Sequence, residues 1–247
     1  KVVRSRSPRN LVDELCSVKD SYPLGTAWID DDTFLVKPKD WFKDFCRLYK
    51  ERVNLPFCCN IRANCVDDET MAMLKDAGMN TAYMGIECGN EEISNTLLRR
   101  HLSNKQLIAA ARIVKKNNIK LVTTSLIGLP IKDSYQTDLQ TLDFNIQIKP
   151  FFALVSILYP YPGTPIEAYA RKANMVGDHI PFLETNKRSS LFKFPESEKR
   201  RIENLQKLFG IIVRFPFLRR FTDFLCDLPL TRQYVGIYWL WFGIARR

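Results

Sequence analysis

Lys120-Leu121-Val122-Thr123-Thr124-Ser125-Leu126-Ile127 is a run of apolar and β-branched residues closed by Gly128-Leu129-Pro130, and its reading decides the fold. A strand this continuous suits a parallel sheet covered on both faces, not an antiparallel sheet with one wet face. The pattern repeats downstream. Residues 134–148 read as a helix, 152–158 as a second buried strand, and 165–172 as a helix with Pro165 in its first turn. It also repeats upstream. Residues 8–20 carry Leu11, Val12, Leu15 and Val18 on one helical face, and a short strand follows at 26–30. A helix from about Pro38 lines up Trp41, Phe42, Phe45, Leu48 and Tyr49. Then come a strand at 56–62, a helix at 68–77 stopped by Gly78, a strand at 81–87 and a helix at 91–98. Ser103 caps a further helix that runs to Asn118.

Five strands alternating with helices imply parallel strands joined by right-handed crossovers, the α/β class. A barrel and an open doubly wound sheet both satisfy this rhythm. No G-x-G-x-x-G follows any strand, so the dinucleotide fingerprint is absent.

Composition narrows the function classes. The chain has 247 residues, one large domain or a domain plus an appendage at roughly 150 residues per domain. With 46% hydrophobic and 26% charged residues it has the balance of a soluble globular protein. The longest apolar stretches, 119–130 and 235–245, are about half the ~20 residues a membrane-spanning helix needs. The first residues are basic with no apolar stretch behind them, so no signal peptide is expected, and with no initial Met the sequence is expected to begin inside a longer protein. Seven irregularly spaced cysteines argue for a reducing, cytoplasmic setting and against a disulfide framework. None forms C-x-x-C or C-x-x-x-C. His101 and His179 are the sole histidines, too few for a histidine zinc site and poor support for a Ser-His-Asp triad. The net charge is +10, and residues 193–247 hold 11 basic residues against five acidic ones, so the tail supplies more than half of the excess.

Chemistry in such folds collects beyond the carboxyl ends of the strands. The tips carry, in order, Asp30-Asp31-Asp32; Asn60 and Arg62; Gly85-Ile86-Glu87; Gly128-Leu129-Pro130; and Tyr161-Pro162-Gly163-Thr164. Together these segments resemble the radical S-adenosylmethionine (SAM) superfamily, most of all the branch whose members often carry an upstream cobalamin-binding domain. Asp31-Asp32-Thr33-Phe34 resembles the D-D-x-F at the second barrel strand. Gly85-Ile86-Glu87-Cys88-Gly89 is similar to G-I-E-S-G at the fourth, Ile127-Gly128-Leu129-Pro130 to I-G-L-P at the fifth, and Tyr159–Pro165 contains the P-Y-P-G-T of the sixth. Arg4-Ser5-Arg6-Ser7-Pro8 is similar to the segment after the cluster loop. The resemblance covers roughly residues 3–173.

The resemblance implies a partial (β/α)6 TIM-like barrel, strands two to six, at residues 1–175, with a helical C-terminal subdomain at 176–247. It implies SAM bound at a [4Fe–4S] cluster, whose electron cleaves SAM to a 5′-deoxyadenosyl radical. Thiolates hold such clusters, and the family's C-x-x-x-C-x-x-C loop would lie before Arg4. The chain is therefore expected to be a fragment, inert alone, whose cluster ligands lie upstream of Lys1. A small-molecule substrate, a reductant such as flavodoxin or ferredoxin, and cobalamin through an upstream domain are the expected partners. Methyl transfer is the first choice of outcome; oxidative cyclisation and RNA methylthiolation are the alternatives.

By the same resemblance Asp31 or Asp32 takes the SAM ammonium, and Glu87 the ribose hydroxyls. Arg100, with Arg62 as the alternative, takes the carboxylate. Ile127, Gly128 and Leu129 hold the adenine, and Tyr161 closes the site. Each has a plainer reading. The aspartates suit a solvated turn, Glu87 and the arginines suit helix termini, and Gly128-Leu129-Pro130 suits any strand-ending turn. The tail mixes Phe215-Pro216-Phe217-Leu218-Arg219-Arg220 with Tyr238-Trp239-Leu240-Trp241-Phe242. Such a mixture suits peripheral membrane contact or nucleic acid. A helical cover over the open side of the barrel is the commoner explanation and is preferred, since no RNA-binding motif accompanies the charge.

Overall fold

The computed structural model describes residues 5–177, 179–181 and 189–245. It is an α/β chain whose five parallel strands form one unclosed sheet in the order β1-β2-β3-β4-β5. They are β1 Ala27–Ile29, β2 Phe57–Ile61, β3 Met79–Glu87, β4 Lys120–Ile127 and β5 Phe152–Ile157. This is the partial-barrel arrangement of strands and helices expected from the sequence. The chain divides into two compact units, Lys1–Gly85 with Lys105–Val122, and Ile86–Asn104 with Thr123–Arg247.

In the first unit, α1 (Pro8–Ser21) starts where Ser7 accepts a hydrogen bond from the Asn10 N–H at 3.2 Å, with Pro8 in the first turn. Helix α2 (Lys39–Arg52) turns Phe42, Phe45 and Tyr49 inward, and these meet Phe34 and Phe57 in a chain of ring contacts 4.9–5.9 Å apart. Each such ring buried stabilises the fold by about 1.5–3 kcal/mol. The Tyr49 hydroxyl is satisfied by Leu55 O at 3.0 Å. Asp67 caps α3 (Asp68–Asp76), which ends before Gly78 at φ +115°, where a Cβ would stand 2.9 Å from Leu55 O. The β2–β3 register slips between Phe57 and Cys58: Phe57 pairs with Met79 but Cys58 with Thr81, so β3 carries one extra residue. Helix α5 is Asn104–Lys116.

In the second unit, Asn90 caps α4 (Glu91–Thr96), its side chain accepting from the Ile93 N–H. This helix stops two residues earlier than its sequence suggests. Leu97 is its C-cap, Arg99 and His101 adopt left-handed conformations (φ 53° and 52°), and the Arg100 N–H turns back to Ser94 O at 3.1 Å. Arg99 and Arg100 therefore stand beyond the helix, not in its last turn. Helices α6 (Ser134–Ile148), α7 (Pro165–Lys172) and α8 (Glu196–Arg214) follow. Thr164 caps α7, and α8 packs against β5 and α6. Its inward residues Ile202, Leu205, Phe209 and Ile212 join Ile127, Leu129 and Ile157 in one core. Asn204 donates to both Cys226 O and Leu228 O at 2.9 Å and accepts from the Thr231 hydroxyl at 2.7 Å, tying α9 (Thr222–Asp227) and the start of α10 (Thr231–Ala245) onto α8.

Candidate functional site

The tip of β1 leads straight into Asp30, Asp31 and Asp32, and a 3₁₀ turn at Phe34–Val36 folds the chain back. That reversal brings the Lys37 ammonium, its side chain almost wholly buried, to 2.5 Å from the Asp31 carboxylate. Lys37 also lies over the Phe34 and Trp41 rings, 4.7 and 5.2 Å from their centroids, so aromatic faces and a carboxylate share one cation. Asp31 keeps half of its side chain exposed. It borders a cleft of about 430 Å³ with Trp28, Asp30, Lys37, Trp41 and Glu14. Asp32 is exposed and is not among the residues lining that cleft. On β2, Asn60 donates to Asp31 O at 3.1 Å and to Asp30 Oδ1 at 3.4 Å, fixing the turn from the neighbouring strand. The Arg62 Nε donates to Asn64 Oδ1 at 3.1 Å.

In the second unit, three strand tips leave the sheet by the same device, a hydrogen bond from residue i+2 to residue i. The Cys88 N–H reaches Ile86 O around Glu87, Ile131 reaches Leu129 around Pro130, and Tyr161 reaches Tyr159 around Pro160. Proline suits such a turn because its φ is fixed near −65°. Glu87 does not: it holds φ +62°, the rare and strained form of the turn. Its side chain is about four-fifths buried and lies 3.7 Å from the Arg100 guanidinium. Burial pushes the Glu87 carboxyl up, and Arg100 opposes the shift. A mostly buried acid, locked in an unfavourable backbone and facing one cation, can accept hydrogen bonds from hydroxyls without rearranging.

Helix α6 holds these tips from behind. The Thr141 hydroxyl accepts from the Gly89 N–H at 3.0 Å and lies 3.9 Å from the Cys88 sulfur. A Cβ on Gly89 would stand 2.5 Å from Gln140 O and 2.7 Å from Thr141 Cα, so only glycine allows this approach. One turn earlier, both carboxyl oxygens of Asp138 lie 3.0 Å from the Gly128 N–H. Asp138 is fully buried, and burial holds its carboxyl well above the usual range despite that hydrogen bond, with Glu198 raising it further. Asn145 completes the stripe, accepting from Thr123 and donating to Ser125 on β4.

The residues expected to hold an adenine are placed differently. Ile127 and Leu129 are fully buried among core side chains. Gly128, at φ +68°, has Ile202 of α8 over the face where a Cβ would point, 3.1 Å away. Its N–H is held by Asp138. Tyr161 is exposed, with its ring 4.5 Å from that of Tyr159, and its carbonyl accepts from the Thr164 hydroxyl. His101 and His179 take no part in these contacts. Sequence reasoning missed Lys37, Asp138 and Thr141. The available signals were a lysine six residues after the aspartates and acid or hydroxyl side chains one helical turn apart on α6.

The cysteines do not fit an iron–sulfur cluster. Among the described residues no group of three acidic, histidine or cysteine side chains could hold a metal. Burial raises the thiols of Cys58, Cys59 and Cys88 and pushes those of Cys46 and Cys226 up to about 12, which keeps them protonated, whereas a cluster needs thiolates.

Comparison with known proteins gives the context for this geometry. The family model of the radical SAM superfamily matches residues 2–143. The uncharacterized methyltransferase PH0819 of Pyrococcus horikoshii is 24% identical over 173 residues, 70% of this chain and 37% of that protein. Among solved structures, the cobalamin-dependent S-adenosylmethionine radical enzyme OxsB with aqua-cobalamin bound matches with a TM-score of 0.66 at 12% identity, over 98% of this chain and 47% of its own. The radical S-adenosylmethionine methyltransferase TsrM from Kitasatospora setae, with cobalamin and a [4Fe-4S] cluster bound, matches with a TM-score of 0.57 at 15% identity, over 79% and 37%. The chain thus spans less than half the length of each of these proteins.

Proposed function

The chain belongs to the radical SAM superfamily, and from that premise we propose that it is the SAM-holding portion of a methyltransferase-type enzyme that works with cobalamin. The observation that carries the reading is Glu87: a mostly buried acid at a strand tip, in a strained turn that a scaffold has no reason to keep. In this reading Glu87 accepts from the ribose hydroxyls and Arg100, beside it, takes the carboxylate. Asp31, held by Lys37 and with half its side chain open to a cleft, takes the ammonium; Asp32 and Arg62 are reserves for those two roles. The backbone edges of Ile127, Gly128 and Leu129 read the adenine, and Tyr161 covers the bound molecule. The methyltransferase choice is supported by the description of the Pyrococcus relative. Oxidative cyclisation and RNA methylthiolation are the rival outcomes.

A [4Fe–4S] cluster, when bound, would supply the electron that cleaves SAM. Since the thiols here do not fit it, its ligands come from outside the described residues in this proposal, and the 247 residues are inert in that chemistry by themselves. A cobalamin domain, a small-molecule substrate, a flavodoxin- or ferredoxin-like reductant and a cytoplasmic setting complete the reading.

The test uses the full-length enzyme, reconstituted anaerobically with iron and sulfide. Calorimetric titration of SAM should show Glu87→Ala binding at least about tenfold more weakly, the 1.4 kcal/mol expected for one lost charge-assisted hydrogen bond. Asp31→Ala should weaken it similarly. Wild-type affinity in both variants would refute the assigned roles. With methyl-labelled SAM, label in the product separates methyl transfer from cyclisation.

A further inference from the structure

The C-terminal helices present a surface that the proposed chemistry does not use. Among the described residues, nine of the sixteen large apolar side chains that stand exposed lie between Phe215 and Ile244, so this apolar exposure is concentrated in one stretch of 30 residues. Helix α10 shows why. Its inner stripe of Tyr234, Tyr238, Trp241 and Phe242 faces the body of its unit: Phe152 of β5 lies 6.4 Å from the Trp241 ring and 5.9 Å from that of Phe242. Its outer stripe is equally apolar. Ile237, Leu240 and Ile244 follow one another at helical spacing with Trp239 beside them, and Trp239 and Leu240 are 57% and 67% exposed. No charged residue occurs from Gln233 to Ala245. A helix that is apolar all round belongs inside something, yet half of this one is covered by nothing among the described residues.

The charges around it say what the cover is. Phe215 lies 6.0 Å from Trp241 and 6.4 Å from Phe217, so the exposed rings of the 3₁₀ segment Pro216–Phe221 adjoin α10. The Arg214 guanidinium stands over Phe215 at 6.0 Å and that of Arg220 over Phe221 at 4.7 Å. Among the described residues none of Arg214, Arg220 and Arg232 forms an ion pair. The two acids of this stretch are both engaged: Asp227 binds Arg201 through two contacts of 2.5 and 2.7 Å, and Asp223 accepts from the Tyr135 hydroxyl at 3.1 Å. The surface is thus apolar and aromatic with an uncompensated basic rim. No described helix is long and apolar enough to cross a membrane.

We propose that the face formed by Phe217, Ile237, Trp239, Leu240 and Ile244 docks on an anionic phospholipid surface. The apolar side chains enter the boundary between headgroups and acyl chains, and Arg214, Arg220 and Arg232 meet lipid phosphates. Tryptophan suits that boundary because its ring is apolar and its N–H polar. The proposal is independent of the SAM reading and survives its failure.

The test is sedimentation of the full chain with phosphatidylcholine vesicles, with and without phosphatidylglycerol. Binding should require the anionic lipid and weaken as salt is raised. Trp239→Glu with Leu240→Glu should reduce it at least tenfold while leaving the melting temperature unchanged, since both side chains are exposed. Arg220→Glu with Arg232→Glu should remove the preference for phosphatidylglycerol. Trp239→Phe should abolish the blue shift of emission that vesicles induce. Absence of binding to phosphatidylglycerol vesicles at low salt, or undiminished binding by Trp239→Glu with Leu240→Glu, overturns the proposal. So does a concentration-dependent dimer dispersed by that variant without vesicle binding, or tighter binding to RNA than to vesicles.

Discussion

Helix α6 buries Ser134, Thr137, Asp138, Thr141 and Asn145, whereas α10 exposes Val235, Ile237, Trp239, Leu240 and Ile244. Both lie in the same unit and both reverse the usual sorting of side chains, in opposite senses. Three of these groups on α6, Asp138, Thr141 and Asn145, have specific partners: Gly89, Gly128, Thr123 and Ser125 each receive or give a hydrogen bond, while the Ser134 hydroxyl has none among the described residues. Those partners are strand tips and the strand behind them, so the polar stripe serves to place backbone. The outer face of α10 has no partner among the described residues. Burial of polarity marks where a fold is being positioned from within, and exposure of apolarity marks where it meets something outside.

The comparison can be broken by substitution. The largest effect is expected for Gly89→Ala, because the new Cβ would meet the α6 backbone at 2.5–2.9 Å and backbone cannot step aside. A loss of about 3 kcal/mol, the upper end for overpacking, should appear in chemical denaturation. Asp138→Ala comes next, leaving the buried Gly128 N–H without its acceptor at a cost of about 2 kcal/mol.

Asp138→Asn sharpens the point, since it keeps an acceptor but cannot ionise. The folded-state carboxyl lies well above its ordinary 3.8. From about that ordinary value upward the unfolded chain releases a proton the folded chain retains, so this group's contribution makes stability fall as pH rises, by up to about 1.4 kcal/mol per pH unit until the folded pKa is passed. The Asn variant should lack that slope and gain on wild type toward neutral pH; parallel stability curves from pH 4 to 7 would show that the acid is ionised in the fold.

On the α10 side, Gly210→Ala would put a Cβ 2.9 Å from the Trp241 indole nitrogen and 3.2 Å from Ala153 O. A side chain can yield where backbone cannot, so about 1 kcal/mol is expected, with the loss visible in tryptophan fluorescence. The smallest effect belongs to Leu240→Glu, within about 0.5 kcal/mol for an exposed site. A loss of several kcal/mol there would mean that the outer face is internally packed after all.

Much of the fold was legible because its signals are local. Period, caps and glycine stops located β4, α6 and α7 to the residue, and Gly78 ended α3 for a steric reason any sequence reader can apply. The end of α4 was not legible: Arg99 and His101 take left-handed conformations that their residue types do not announce. The site divides in the same way. The acids at the tips of β1 and β3 stood out because charge follows an apolar run. Asp138 did not, because α6 scatters polar residues round its circumference and sequence alone could not tell which stripe faced inward. Gly128 was legible as a turn, but the cover that Ile202 gives it comes from a helix more than seventy residues away, and no local pattern carries that contact.

The register slip beside Asn80 reaches further than its size suggests. In a strand, facing is a matter of odd and even, and one extra residue reverses every assignment downstream of it. Met79 and Ala82 are both buried although three positions separate them, and from there inward and outward alternate up to Glu87. The side on which that acid emerges is therefore set roughly 23 Å away, at seven residues of about 3.3 Å each. Deleting Asn80 would alter no residue at the tip and yet invert its phase, so a lineage could inherit every letter of the motif and still lose its orientation through one missing codon.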